Sequence, residues 1–225
     1  MKLVTYRASI EAAARLGVIV DDMVVDAACL GEAFGVDVPC TMLGLIDAGR
    51  PGLGALGDLV TQAEGRFPIG TATALANVTL LAPIPRLRKN IFGIGLNYLD
   101  HVAESAAALD TDSALPKQPV IFSKPPTSVI GPDAPIAHNK AMTRQLDWEV
   151  ELAVIIGTTA RRVSRNEALG HVFGYSVMID VSARDCRRAG QWIYSKGQDT
   201  FAPFGPCIVT ADEMGDSTQL DMKLW

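Results

Sequence analysis

The chain has 225 residues, of which 48% are hydrophobic and 20% are charged, and its formal net charge is −5. These values are ordinary for a globular protein, and the lack of a basic cluster argues against nucleic acids and anionic membranes as partners. Because no apolar segment is long enough for a signal peptide or a membrane span, we expect a cytoplasmic protein without a membrane partner. The four cysteines form no C-x-x-C pair, and we expect buried, reduced thiols.

The first 82 residues are predicted to form a small α+β domain. "KLVTYR" has the composition of a strand, and the two apolar runs around Asp21 and Asp22 predict a β-hairpin. Three segments with helical spacing follow, and each ends at a glycine that can cap a helix. Pro83 and Pro85 then interrupt any regular element, so we expect a domain junction near residues 80–90 and a second domain from residue 88 to 225.

The second domain begins with a mixture of strand and helix signals. Residues 91–94 predict a buried strand, and Asn97 can cap a helix that carries His101 and Glu104 on one face. The small, polar residues 105–118 predict a loop. The "GIGLN" segment lacks the third glycine of a dinucleotide-binding loop. Further strands are predicted in "PVIFSK", "LDWEVELAVIIG", "GHVFGYSVMIDVSARD", the end of "GQDTFAPFGPCIVT" and "LDMKLW".

The strand "LDWEVELAVIIG" carries two carboxylates on one face. Glu149 and Glu151 alternate with apolar residues, and residues 153–156 are apolar on both faces and therefore predict burial. One interpretation is an exposed sheet edge with both carboxylates in water. The other is a divalent-cation site that a third carboxylate, such as Asp180, completes. Oxygen ligands favour Mg²⁺, Mn²⁺ or Ca²⁺ over zinc, and three protein ligands leave coordination positions for water or substrate.

Five sequence blocks follow one another between residues 88 and 210: "FGIGLNYLDHVAES", "PVIFSKPPTSVIG", "LDWEVELAVIIG", "YSVMIDVSARD" and "SKGQDTFAPFGP". In this order they resemble the fumarylacetoacetate hydrolase family. The resemblance implies an α+β protein whose catalytic domain is a mixed β-sandwich roll, a Mg²⁺ or Mn²⁺ ion, and a homodimer. The first 80 residues resemble the small N-terminal domain of many bacterial members. Family members continue past "LDMKLW" to a T-G-T-P substrate loop, which implies that residues 88–225 are a C-terminally incomplete catalytic domain.

The resemblance also implies roles for individual residues. Glu149 and Glu151 match the family's Glu-x-Glu pair, and Asp180 opens its D-x-[ST]-A-R-D block, which makes these three residues the metal ligands. His101 and Glu104 match the family's H-x-x-E pair, which activates water. Without the resemblance, a single histidine on a helix is more often an ordinary surface or core residue than a catalyst.

Three further residues match substrate-site positions. Lys196 precedes the family's D-T-F loop, and Arg184 of the S-A-R-D block is expected to meet a substrate carboxylate. Gln198 is expected to contact substrate, at a position where an aromatic residue is more common in the family. Outside the block context, Lys196 and Arg184 read as ordinary surface cations, and Lys124 is a further residue expected near the site.

These roles together predict hydrolytic cleavage of a C–C bond in a 2,4-dioxo acid, such as an acylpyruvate or fumarylpyruvate. His101, oriented by Glu104, would take a proton from the attacking water, and Lys196 would stabilise the developing oxyanion. The metal would polarise the keto group of the small-molecule substrate and stabilise the departing enolate. The alternatives are a metal-dependent decarboxylase, isomerase or hydratase of an α-keto acid, or a shortened, non-catalytic family member.

Overall fold

Most strands of the protein belong to one sheet. The computed structural model describes residues 1–97, 117–187 and 191–225. The strands in these ranges are β1 (Lys2–Arg7), β2 (Arg15–Val20), β3 (Met23–Asp26), β4 (Ala72–Ala74), β5 (Thr79–Leu80), β6 (Ile91–Gly95), β7 (Val120–Lys124), β8 (Val129–Ile130), β9 (Leu146–Ile156), β10 (Val172–Ala183) and β11 (Ala202–Thr210). The main sheet has the order β4-β3-β2-β1-β11-β10-β9, with β5 beside β1 and β8 beside β11, whereas β6 and β7 form a separate pair.

The helices are short except for one long, interrupted helix in the first third. The first helix begins after Asp26, whose carboxylate accepts a hydrogen bond from the Cys29 amide, and it ends at Gly35 in the left-handed conformation. The long helix is broken at Gly49 (φ 60°, ψ −149°), so its two halves correspond to two of the predicted helical segments. The helices are α1 (Ala27–Phe34), α2 (Met42–Gln62), α3 (Arg165–Ala168), α4 (Trp192–Lys196) and α5 (Ala211–Met214). Among the described helices, none has the length and hydropathy to cross a membrane.

The main sheet runs continuously from the first third of the chain to the last. β1 pairs antiparallel with β11, and this pairing places Lys2 opposite Val209 and Leu3 opposite Ile208. The predicted hairpin is present as β2 and β3. One apolar core contains residues from both parts of the chain, among them Leu3, Leu30, Leu56, Phe204 and Ile208. The division into domains at residues 82–88 stays a prediction.

Several expectations about burial and secondary structure are wrong. Phe92 and Ile94 are exposed because β6 pairs only with β7 among the described residues, outside the main sheet. Val154 and Ile156 are exposed because β9 is the outermost described strand of its sheet. Residues 220–225 adopt no regular structure, although their alternation is typical of a strand. Of the four cysteines, only Cys186 is buried, and Cys40 is exposed.

Candidate metal and substrate site

The register between β9 and β10 brings the predicted carboxylates onto one face. Asp180 lies directly opposite Glu149, and Met178 lies opposite Glu151. Directly opposed residues of an antiparallel pair share a face, and their Cβ atoms lie about 4.5–5.5 Å apart. Asp180 is buried, whereas Glu149 and Glu151 are partly buried. The sheet therefore holds three acidic side chains together at its outer end.

Lys196, at the end of α4, places its ammonium between two of these carboxylates. Its Nζ lies 2.9 Å from Glu149 Oε2, donates to Asp180 Oδ2, and donates to Ser182 Oγ at 2.8 Å. The side chain is only 8% exposed. Lys196 therefore lies at the acidic cluster, as the family blocks imply, and it is not a surface cation.

Lys124, at the end of β7, is a second buried cation beside Asp180. Its ammonium donates to the backbone carbonyl oxygens of Val181 (3.0 Å), Phe201 (2.9 Å) and Lys196. It also lies 2.8 Å from Asp180 Oδ1, but outside hydrogen-bonding geometry, so this buried oxygen has no hydrogen-bond partner. Burial lowers the pKa of Lys124 to about 8, although the charge of Asp180 opposes that shift. Lys124 thus connects three separate backbone segments underneath the acidic cluster.

The two glutamates of β9 have opposite electrostatic environments. Burial would raise the pKa of Glu149, but the charges and hydrogen bonds of Lys196 and Arg184 lower it to about 2. Glu151 has no cation within ion-pair distance among the described residues. Burial, together with the charges of Asp180 and Glu149, raises the pKa of Glu151 to about 7. No described cation therefore stabilises the ionised form of Glu151 by an ion pair.

Arg184 is bound by carboxylates of the protein itself. Its Nε and Nη2 contact Asp147 Oδ2 at 2.9 Å and 2.8 Å, and Nη2 also donates to Glu149 Oε1. Both oxygens of Glu149 thus have a cationic partner, Arg184 on one side and Lys196 on the other. Arg184 orients Glu149. A substrate carboxylate would have to compete with Asp147 and Glu149 for the Arg184 guanidinium.

The acidic cluster opens into a small cavity, and the empty space there amounts to about 380 Å³ when the open solvent at its mouth is counted. Phe122, Trp192 and Arg187 line this cavity together with the carboxylates, and the two rings form its aromatic wall. The rings of Phe122 and Trp192 lie 5.5 Å apart, and Lys196 Nζ lies 4.8 Å from the centre of the Phe122 ring. The cavity therefore combines a charged floor with an aromatic wall, as small-molecule sites commonly do.

Two glycines of β6 allow the aromatic wall to pack closely. A Cβ atom on Gly93 would lie 2.2 Å from the Phe122 ring, and one on Gly95 would lie 3.1 Å from the Trp192 ring. The glycines of "FGIG" are thus explained by the approach of these rings, and not by a phosphate-binding loop.

The donor chemistry at this face fits a hard divalent cation. The candidate ligands are the three carboxylates, of which Glu151 lacks a described cationic partner, whereas Glu149 and Asp180 already have cations beside them. Within the described ranges, no three His, Cys, Asp or Glu side chains already form a complete metal cage. The Lys196 ammonium lies between Glu149 and Asp180.

The other sequence-predicted site residues have different outcomes. His101 and Glu104 lie outside the described residues, although Asn97, four positions before His101 in the chain, lines the cavity. The Gln198 amide donates to the Tyr194 carbonyl at 3.2 Å, and Gln198 is not among the described residues that line the cavity. The predicted contact of Gln198 with substrate therefore has no support in this geometry.

Sequence reasoning did not identify Phe122, Trp192 or Arg187 as site residues. A signal for Arg187 exists, because it follows Arg184 by three positions across a short 3₁₀ turn, Arg184–Cys186. Residues three apart in such a turn lie on the same side. An arginine at this position is therefore expected to face the same cavity as Arg184.

Comparison with known proteins identifies relatives with this architecture. Residues 90–225 match the family model described as fumarylacetoacetate (FAA) hydrolase C-terminal. The mitochondrial oxaloacetate tautomerase of Xenopus laevis is 32% identical over 228 residues, which cover 99% of this chain and 66% of that protein. The chain spans two thirds or less of the length of the first curated relatives that it matches.

Solved structures give the same result. The fumarylacetoacetate hydrolase of Exiguobacterium antarcticum superposes with a TM-score of 0.68 at 32% identity, covering 94% of this chain and 67% of that one. The maleylpyruvate hydrolase of Sphingobium sp. SYK-6, solved with manganese(II) and pyruvate, gives 0.69 at 29% identity, covering 96% and 69%. The predicted α+β class and the family resemblance are confirmed.

Proposed function

The chain belongs to the fumarylacetoacetate hydrolase family, and we propose that it is a divalent-metal-dependent enzyme that converts an α-keto acid through its enolate. The observation that carries the proposal is the shared face of Glu149, Glu151 and Asp180, which opens into a cavity beside the ammonium of Lys196. Both reactions named for its relatives, tautomerisation and hydrolysis, involve an enolate. In either reaction, the site needs to stabilise the negative charge on the enolate oxygen.

The residues at the cavity have separate proposed roles. Glu149, Glu151 and Asp180 would hold Mg²⁺ or Mn²⁺, which when bound supplies Lewis-acid polarisation of the keto oxygen. The three N–H groups of Lys196 are taken up by Glu149, Asp180 and Ser182, so Lys196 would exchange one of these bonds for a hydrogen bond to the oxygen that gains negative charge. Its burial makes that interaction stronger than in water. Arg184 keeps Glu149 ionised and oriented. The aromatic wall excludes water from one side of the substrate.

Our first candidate reaction is keto–enol tautomerisation of an acid of the oxaloacetate type. The support is the similarity to an oxaloacetate tautomerase that covers nearly the whole of this chain. The Lys196 ammonium would stabilise the enolate, and a proton carrier would exchange the proton at the adjacent carbon. His101 is the sequence-predicted proton carrier.

The second candidate is hydrolysis of a 2,4-dioxo acid, and a specific observation supports it. The sequence retains the H-x-x-E pair as His101 and Glu104. This pair is what a hydrolase needs to deprotonate water, whereas a tautomerase needs no water. A maleylpyruvate hydrolase is among the solved relatives.

The test compares both reactions in one preparation of this chain. Enol and keto oxaloacetate are distinguished by ultraviolet absorbance, and pyruvate release from an acylpyruvate reports hydrolysis, each with Mg²⁺ or Mn²⁺ and with a chelator. We expect metal-dependent tautomerisation, and we expect Glu151→Gln to abolish it while Glu167→Gln, at an exposed helix cap, does not. We expect His101→Ala to lower tautomerisation by about 10²–10⁴-fold, because His101 is the proposed proton carrier. Metal-dependent pyruvate release that falls in the same variant would show that the second reaction also belongs to this site. No metal-dependent turnover of either substrate would overturn the proposal.

We also propose that the chain forms the homodimer that the resemblance implies. Trp148, Val154 and Ile156 are exposed on one face of β9, and the neighbouring Val177 of β10 is exposed beside them. An apolar face of this kind favours association. Sedimentation velocity should give a dimer that Val154→Asp weakens, whereas Ile10→Asp, at an isolated exposed position, should leave the dimer unchanged.

A further inference from the structure

Arg187 has a different environment from the arginine that the sequence singled out. It lines the same cavity as the carboxylate cluster, and its guanidinium carbon lies 4.6 Å from the centre of the Trp192 ring. Trp192 in turn packs against Phe122, so the aromatic wall fixes the plane on which the guanidinium rests. Arg187 is half-buried, and its planar donor group rests on the aromatic wall of the cavity that the carboxylates also line.

The hydrogen-bond donors of Arg187 are not taken up by an ion pair in the described part of the chain. In the described part of the chain, the guanidinium of Arg187 makes a cation–π contact with the Trp192 ring, whereas that of Arg184 forms ion pairs with Asp147 and Glu149. Burial and the nearby charge of Arg184 lower the pKa of Arg187, as expected for a cation that lacks a full counter-charge. A ligand carboxylate would supply that counter-charge through two parallel N–H···O bonds.

The charge balance of the site points to a doubly negative ligand. The described carboxylates at and beside the cavity are Asp147, Glu149, Glu151 and Asp180, and the cations are Lys124, Lys196, Arg184 and Arg187. These four negative and four positive side chains cancel. A divalent cation on the carboxylates would leave two positive charges, which a dicarboxylate neutralises and a monocarboxylate does not.

We propose that Arg187, stacked on Trp192, receives the second carboxylate of a dicarboxylic α-keto acid whose keto and first carboxylate groups face Glu149, Glu151 and Asp180. This inference rests on the proposed function, and it names the substrate class of the same site. Arg187, and not Arg184, then decides between dianionic and monoanionic acids. Arg184 acts as a positioning residue for Glu149.

The test uses two stable four-carbon acids that differ in the second carboxylate alone. Malate and 2-hydroxybutyrate share the 2-hydroxy acid end, and neither undergoes the proposed reaction. Binding of each acid to the Mg²⁺- or Mn²⁺-loaded protein is measured by calorimetry. We expect malate to bind about 10- to 100-fold more tightly, the range for one added charge-assisted pair.

Variants assign the preference to Arg187. Arg187→Gln should weaken malate binding by about the same 10- to 100-fold, with 2-hydroxybutyrate and Mn²⁺ affinity unchanged. Arg187→Lys keeps the charge but loses the planar pair, and it should retain part of the preference. Arg161→Gln, at an exposed arginine distant in the sequence, is the matched control and should bind both acids as the unmodified chain does.

The outcomes separate this inference from the proposed function. Equal affinity of the unmodified chain for both acids, a preference that survives Arg187→Gln, or an equal loss for both acids would each overturn the role of Arg187. In these cases metal-dependent binding of the hydroxy acids still supports the proposed site. If the metal-loaded protein binds neither acid, the proposed function fails and the role of Arg187 fails with it.

Discussion

Asp180 lies directly opposite Glu149 across the pairing of β9 with β10, and the Lys196 ammonium joins their carboxylates. Opposed like charges on one face of a sheet destabilise each other unless a cation lies between them. Lys196 meets that need for this pair, but Glu151, two residues along the same face, has no described cation of its own. Glu151 is therefore the position on this face at which we expect a further cation to bind.

The first prediction concerns that further cation. We expect Mg²⁺ and Mn²⁺ to bind at the cluster, and we expect Glu151→Gln to weaken the affinity by about 10- to 100-fold or more, because losses of this size already follow from mutation of residues outside the first coordination sphere. Calorimetric titration of the metal alone measures this without substrate. Glu213→Gln, at a partly exposed ion pair with the N-terminus, should leave the metal affinity unchanged. Equal affinities for the Glu151 variant and the unmodified chain would contradict the ligand assignment.

The second prediction concerns Lys124. Its ammonium connects Val181, Lys196 and Phe201 through their carbonyl oxygens and lies beside Asp180, with a side chain only 2% exposed. Lys124→Met removes a buried cation and leaves these groups unpaired, so we expect the free energy of unfolding to fall by about 3–5 kcal/mol. Urea denaturation followed by circular dichroism provides the measurement. Lys140→Met, at an exposed lysine, is the control, and a loss no larger than in that control would show that Lys124 is not a structural cross-link.

The sequence predicted the acidic cluster well because strand alternation depends only on local geometry. Glu149 and Glu151 share a face in any extended conformation, and the family blocks identify Asp180 as their partner. The register that places Asp180 opposite Glu149 depends on the pairing of two strands, which a local pattern does not contain. Val154 and Ile156 are exposed because β9 lies at the end of the described sheet. The apolar pattern of the strand does not contain this position, and it therefore predicts burial wrongly.

The cations of the site were harder to predict than its carboxylates. Lysine is rarely buried, so neither the burial of Lys124 nor its three carbonyl partners can be inferred from composition or spacing. The roles of Arg184 and Arg187 differ because Asp147 and Glu149 approach one guanidinium and a tryptophan ring approaches the other. Such distinctions arise from tertiary contacts alone.

The third prediction concerns the glycine beneath the aromatic wall. Gly93→Ala would place a Cβ atom 2.2 Å from Phe122, so the ring must move, and we expect a destabilisation of about 1–3 kcal/mol with a changed near-ultraviolet circular dichroism signal. Gly54→Ala is the matched control, because a Cβ atom there meets nothing within 4 Å inside α2. This control should be neutral or slightly stabilising, as alanine is favoured over glycine in helices. An equally mild effect at Gly93 would show that Phe122 does not depend on close approach to β6.

The fourth prediction concerns a buried carboxylate far from the cavity. Asp26 is 4% exposed and accepts hydrogen bonds from Tyr6 Oη at 2.7 Å, from Arg15 Nη2 at 2.9 Å and from the Cys29 amide at 2.8 Å. Burial alone would raise the pKa of Asp26, but the hydrogen bonds of Arg15, Cys29 and Tyr6 lower it from 3.8 to about 2. The folded protein thus holds this proton less tightly than the unfolded chain does.

The sign of the pH dependence follows from that difference. A carboxyl whose pKa is depressed on folding contributes stability above its unfolded pKa, and this contribution disappears as the pH falls toward the folded pKa. We expect the free energy of unfolding to lose about 2 kcal/mol through Asp26 between pH 5 and pH 2. Asp26→Asn should be less stable than the unmodified chain at pH 7, and the difference should shrink by about that amount on acidification. Asp47→Asn removes an aspartate that is also paired with an arginine, Arg88, but on the exposed surface, so it should show neither effect. Urea titrations of the three proteins from pH 7 downward provide the measurement, and a stability difference between the unmodified chain and Asp26→Asn that stays constant with pH would contradict the assignment.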